Sequence, residues 1–384
     1  MDTLTNKPSL SILIPDGETW DTVKVLRCLK QAPQVKVIIL SRDRWSVARF
    51  SRRCVGYYHH TSQSDEDWIR LIRSMVQELQ INVVMPITER GVEFVTRNKT
   101  AISEFTTIPS LPDFEVLMMV QDKWRFHCFA KQQEFPVPAS VMVGRAGEPV
   151  VDSLDLDSIE YPALLKPTLL DGGFGIVAVK DPSDFHKAWE DKRIIQGCRY
   201  LLQSYVPGVD LCLHLFCKGG RVLAHTLQRS LYSPIDFFGP QKAMEFVDDQ
   251  MTIELGTRLV SAMQWDGIAC IDFRLDTRDQ TQKILEVNPR FGQAILGCLV
   301  AGVNFPLLVL LDAVNERCLN MRQHAVRYAH PITHLNMLIS RFFRRQPQVC
   351  IQWREGGLQF TVHDPLPELV DFTRRAVKRF RHDK

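Results

Sequence analysis

Apolar and polar positions along the first third of the chain follow two different rhythms. Leu10 to Pro15 (LSILIP), Val35 to Ser41 (VKVIILS) and Asn82 to Pro86 (NVVMP) are short apolar runs of strand length. Between them, Thr19 to Gln31 and Trp68 to Leu79 space their apolar residues three and four apart, as amphipathic helices do. Strand–helix alternation of this kind predicts a parallel sheet with right-handed crossovers, a Rossmann-like unit over residues 1–120. The first strand ends in Pro15-Asp16-Gly17-Glu18 and not in GxGxxG, so no classical dinucleotide site is expected there.

Beyond residue 120 the rhythm changes. A helical pattern runs from Asp113 to Glu134, and the prolines of FPVPAS then favour an extended exit. Residues 121–200 read as a small lid-like unit, with short strands around a glycine-rich turn. From there to residue 384 the strands lengthen: Tyr200 to Val206, Leu211 to Lys218, Val222 to Gln228, Gly267 to Leu275 and Lys283 to Val287. They predict an antiparallel sheet, with helices over Thr252–Gln264 and Gln293–Glu316. The whole is an α/β plus α+β chain of two or three domains. The long apolar stretch from Leu296 to Val314 contains Gly302, Asn304, Pro306 and Asp312, so it reads as two buried helices broken near Asn304 and not as a membrane span.

Composition narrows the class further. Hydrophobic residues make up 45% and charged residues 24%, the profile of a soluble globular protein, and a net charge of +3 gives no case for nucleic acid. The N-terminal apolar run is too short for a signal peptide. Ten cysteines without a CxxC pair read as free thiols in a reducing cytoplasm. A basic tail, RFFRRQ at 341–346 and RRAVKRFRHDK at 374–384, reads as a solvated helix face, with contact to an anionic partner or a membrane surface as the alternative.

Four segments bear chemistry. GIACIDFRLD (267–276) and KILEVNPRFG (283–292) form two strands joined by a polar hairpin. Glu286 and Asn288 are two apart and so share a face, and with Asp272 they form a hard oxygen cluster suited to Mg²⁺. In YPALLKPTLLDGGFGIVAVK (161–180), an apolar strand ends at Lys166 before Gly172, Gly173 and Gly175. Such a loop is either a plain hairpin turn or a flap whose N–H groups approach phosphate. Asp122-Lys123 opens a helix, and LLQSYVPGVDLCLHL (201–215) turns at Pro207-Gly208. His214 and His225 lie in strand patterns near the presumed cleft and read as structural.

Taken in order, these segments resemble the ATP-grasp superfamily over about residues 1–316, most closely its carboxylate–amine ligase branch, the carbamoyl-phosphate-synthetase-like and D-alanine-ligase-like enzymes. The resemblance implies that Lys123 and Lys166 contact ATP phosphates under the 171–176 loop. It implies that Gln203, Ser204, Tyr205 and Val206 line the adenine slot and that Asp210 meets the ribose. Asp272, Glu286 and Asn288 would hold Mg²⁺, with Mn²⁺ as an alternative ion, and Arg290 and Lys166 would act on the transferring phosphoryl group. Gln203 replaces the glutamate of many relatives. Cys270 replaces an arginine of some D-alanine ligases, which argues against that activity; Arg229 and Arg274 are the substitutes expected to bind substrate anions. The implied reaction joins a small-molecule carboxylate to an amine through an acyl phosphate. The rivals are a non-catalytic ATP-binding scaffold or sensor and a kinase or carboxylase on the same fold. No nucleic-acid partner or transmembrane segment is expected, and a homodimer is compatible with the reading.

Overall fold

The computed structural model describes residues 10–150, 154–170, 172–231, 242–316, 320–342 and 351–382, with side chains omitted at 340–342 and beyond 375. Three sheets organise the chain. The first contains β1 (Ser11–Ile14), β2 (Lys36–Ser41), β3 (Cys54–His59) and β4 (Val83–Val84), all parallel in the order β3-β2-β1-β4. Its apolar runs are buried on both faces, by the helix Trp20–Cys28 on one side and Asp65–Leu79 on the other. The expected parallel unit is therefore present. β3 was not foreseen, because CVGYYH is a half-exposed edge strand without an apolar run.

The second sheet is formed by β5 (Ser140–Arg145), β6 (Ala163–Pro167), β7 (Val177–Val179) and β8 (Arg199–Ser204) in the order β5-β8-β6-β7. By its position in the sequence, the strand near Tyr200 is expected in the large C-terminal sheet. It instead pairs antiparallel with β5 and β6, so that Lys166 faces Leu201 across the ladder. Pro207-Gly208 is the break that lets the chain change sheets.

The third sheet is larger: β9 (Gly208–Lys218), β10 (Arg221–Ser230), β11 (Ala243–Phe246), β12 (Gly267–Asp276), β13 (Gln282–Asn288) and β14 (Arg327–Ala329), in the order β13-β12-β9-β10-β11-β14. One face packs Leu213, Leu215, Leu227, Ile271 and Phe273 against the helix Gln250–Ala262. The other face is polar at its centre and apolar toward β11 and β14, where Phe246 and Tyr328 meet the broken pair of apolar helices, Ile295–Val300 and Phe305–Ala313. Asn304 makes that break, its side chain accepting from Leu307 N at 3.2 Å.

The helical pattern of 113–134 is also two helices, Phe114–Gln121 and Lys123–Gln132. Asp122 is extended, and its carboxylate caps the second helix through Trp124 N and Arg125 N at 2.9 and 3.1 Å. The small sheet hangs from the β12–β13 hairpin by both of its ends. Ile284 N donates to Pro136 O at 2.8 Å on the way in, and Thr277 N donates to Pro207 O at 2.9 Å on the way out. No helix among the described residues is long and apolar enough to cross a membrane. The RFFRRQ segment lies outside the residues whose side chains are described.

Candidate functional site

Antiparallel register turns the polar face of the large sheet into two rows. Glu286, Asp272, Cys212 and Gln228 stand opposite one another on β13, β12, β9 and β10. Asn288, Cys270, His214 and Thr226 form the next row. Directly opposed residues point to one face, so the hairpin acids, two thiols, an imidazole and two amides share one floor. A cleft of about 300 Å³ opens above it, walled by the small sheet and roofed in part by Gly172, Gly173 and Phe174.

At the hairpin end, Asn288 Nδ2 lies 3.2 Å from Asp272 Oδ2 and 3.3 Å from Glu286 Oε1. Lys123 reaches down from its helix and pairs with Glu286 Oε2 at 3.2 Å, while also donating to Leu170 O at 2.6 Å. Lys166 is buried at the end of β6 and donates to Gln203 Oε1 at 3.1 Å. Burial lowers the Lys166 ammonium to about 8, partly opposed by Glu286. Burial alone would raise Glu286, but Lys123 and Lys166 outweigh it and hold the carboxyl at about 2. Asp272 is raised well above the ordinary carboxylate range, first by burial and then by Cys270 and Glu286. A buried acid held up beside a second acid is a place where a cation relieves repulsion. Two carboxylates and an amide that need only turn its oxygen inward form a hard donor set, so these residues fit Mg²⁺.

The other expected residues divide. Gln203 is anchored on both sides, since its Nε2 donates to Ser140 Oγ at 3.1 Å. The Ser204 hydroxyl accepts from Glu160 N at 2.9 Å, while Tyr205 and Val206 line the cleft beside it. Asp210 is joined to Arg274 at 2.8 Å, and Arg274 also donates to the Tyr205 hydroxyl at 2.7 Å. Arg274 thus stands at the Tyr205 end of the cleft, not with Arg290. Arg229 is not brought to the cleft at all. Strand alternation turns it away from Gln228, and it pairs with Glu245. Gly172, Gly173 and Gly175 all take left-handed conformations, with φ of 64°, 80° and 74°, which a side-chain-bearing residue would resist. Asp171 lies outside the described residues.

Several groups in or beside the cleft are not expected from the sequence. Glu89, at the start of the helix Glu89–Arg97, comes within 4.0 Å of Arg290 from the parallel-sheet unit. Gln293 meets Lys24 from the same unit. Gln228 is 3% exposed, and its Oε1 is buried without a hydrogen-bond partner among the described residues. His214, read as structural, is part of the floor. Only strand register could have revealed Gln228, and only tertiary packing brings Glu89 to Arg290.

This architecture is that of the ATP-grasp enzymes: a parallel-sheet unit, a small antiparallel sheet and a large antiparallel sheet enclosing a cleft. Residues 120–294 match the model of the ATP-grasp domain. It is 25% identical over 189 residues to the arginine-specific large chain of carbamoyl phosphate synthase from Halalkalibacterium halodurans, a match covering 47% of this chain but only 17% of that relative. Among solved structures, it resembles the L-amino acid ligase of Bacillus licheniformis at a TM-score of 0.61 and 16% identity, over 80% of this chain and 75% of that one. It also resembles N5-carboxyaminoimidazole synthetase from Staphylococcus aureus at a TM-score of 0.64 and 12% identity, over 90% and 88% of the two chains. These structural likenesses establish the fold.

Proposed function

We propose that the protein is an ATP-dependent carboxylate–amine ligase. The observation that supports it most is the convergence of Lys123 and Lys166 on Glu286, beside Asp272 and Asn288. Cations brought from one side against an acid cluster on the other match what a metal–triphosphate needs: positive charge for the phosphates and oxygen ligands for the ion. Similarity to a carbamoyl phosphate synthase and to an L-amino acid ligase supports the same class.

In this reading, Lys123 and Lys166 hold the β- and γ-phosphates, and Gln203, Tyr205 and Val206 receive the adenine. Asp210 meets the ribose after giving up Arg274. Bound Mg²⁺, held by Asp272, Glu286 and Asn288, supplies charge neutralisation of the phosphates. A carboxylate oxygen of the acid substrate attacks the γ-phosphorus, ADP leaves, and an acyl phosphate remains. Arg290 stabilises the equatorial oxygens of the transferring group. An amine then attacks the acyl carbon and phosphate departs, giving the amide. The glycine loop excludes water that would hydrolyse the acyl phosphate. Gln228 stands two strand spacings, about 10 Å, from Asp272 along the floor. It therefore faces the acid or the amine and not the metal.

The acid and amine are small molecules, and a cytoplasmic setting suits their supply with ATP. The test is release of ADP and phosphate by the whole chain with MgATP and a panel of amino acids, with products weighed by mass spectrometry. An amide product supports the ligase. ADP and phosphate formed without any amide would point to a carboxylase, ADP formed with a phosphorylated product and no free phosphate to a kinase, and no turnover with tight MgATP binding to a sensor.

A further inference from the structure

We propose that Cys212, His214 and Cys270 form a second, soft metal site in the floor of the cleft, one that takes a thiophilic divalent cation such as Zn²⁺. The three side chains are 5%, 2% and 5% exposed and all face the cleft. Their ligand atoms lie within 4.8 Å of one another. The two sulfurs are 3.1 Å apart, and His214 Nδ1 and Nε2 lie 3.9 and 3.6 Å from Cys212 and Cys270. Ligands around one tetrahedral Zn²⁺, at about 2.0–2.3 Å from the ion, stand roughly 3.5 Å from each other, so modest side-chain rotation closes the set.

The donor chemistry separates this site from its neighbour. Thiolates and imidazole select Zn²⁺, whereas the carboxylate and amide oxygens one row end away suit Mg²⁺. Binding releases the two thiol protons, and Zn²⁺ with two thiolates and a neutral imidazole has no net charge, which makes its burial inexpensive. Three protein ligands leave a fourth position open toward the cleft. Gly292 keeps the place clear: a Cβ there would come within 2.0 Å of His214 Nε2 and 2.9 Å of the Cys270 sulfur. Because Cys212 stands directly opposite Asp272, an ion held here lies beside the Mg²⁺ ligands. Zinc then inhibits the reaction. That consequence rests on the ligase reading; the metal site itself does not.

The test uses the reduced, chelator-treated full chain titrated with Co²⁺, read by thiolate-to-metal charge-transfer absorption. One equivalent is expected to develop the band and Zn²⁺ to abolish it by displacement. Cys212→Ser and Cys270→Ser should each lose it, while Glu286→Gln should retain it. Circular dichroism identifies any serine variant that fails to fold, and Cd²⁺ binding to the wild-type chain, read by the same type of absorption, gives a measurement that needs no variant. Absence of a thiolate band with both metals in the folded, reduced protein would overturn the site. So would a chain lighter by two hydrogens with both thiols unreactive, which would mean a Cys212–Cys270 disulfide. MgATP binding measured by calorimetry in the same samples tests the ligase reading separately.

Discussion

Glu286 lies between a carboxylate and two lysines, and its charge is maintained by Lys123 and Lys166 against the cost of burial. Glu286→Gln keeps the shape but removes one negative charge from the proposed metal ligands. MgATP would still dock through the lysines and the adenine slot, so its affinity should fall modestly. Turnover should fall about a hundredfold or more, since charge at the transferring phosphoryl is no longer held in place. Single-turnover rates alongside calorimetric affinity measure both, and turnover within threefold of wild type would remove the hairpin from the chemistry. Lys166→Ala should do the reverse and weaken nucleotide binding most, because it removes one of the two ammonium groups proposed to hold the phosphates; equal affinity in calorimetry would refute this. These residues were legible in the sequence because Glu286 and Asn288 sit two apart in an apolar strand and Lys166 ends another. Arg229 and Gln228 show where that legibility stops. They are neighbours in the chain, yet alternation sends one to the floor and the other to Glu245, and the sequence offered no register to tell them apart.

At the scale of elements, the glycine loop and β3 give different expectations. Gly172, Gly173 and Gly175 adopt left-handed backbone, and Phe174 between them is 72% exposed, so the loop gains little from packing. Its amides from Gly172 to Ile176 should exchange quickly in the free protein and slow at least tenfold with MgATP, as read by hydrogen exchange; slow exchange without nucleotide would argue against a flap. At the end of β3, His60 is 5% exposed and stacks on Trp68 at 5.3 Å. Burial, then Arg42, His59 and Arg90, lower its imidazole to about 4. A base depressed in the fold takes up its proton first when unfolded, so its contribution is complete above about 6.5 and is lost as pH falls toward 4. His60→Gln should flatten the acid side of the stability profile, by about 3 kcal/mol at most, measured by urea melts at pH 7 and 4.5. An unchanged difference between the two pH values would assign the acid sensitivity elsewhere. The sequence pattern found the long strands and the amphipathic helices. It missed β3 because an edge strand lacks an apolar run, and it merged two helices because nothing but the extended backbone of Asp122 divides them.

For the whole molecule, Lys24 and Glu89 bring the parallel-sheet unit to residues of a cleft lined by the two antiparallel sheets, so a ligand that touches all three should stabilise the chain as a unit. MgATP at about a hundred times its dissociation constant is expected to raise the melting temperature by at least about 2 °C, and magnesium or ATP alone by less. An unchanged melting curve at millimolar MgATP would count against nucleotide binding altogether. The order of the units was legible because rhythm changes along the chain. The sheet exchange at Pro207-Gly208 was not, because pairing partners are set by tertiary contacts. That exchange has a mechanical meaning. The small sheet enters beside Ile284 and leaves beside Thr277, so any swing of the sheet would pivot on the hairpin that presents Asp272 and Glu286. Swinging the small sheet and aiming the acids would then be one motion, and loosening the pivot at Thr277 would blunt both together.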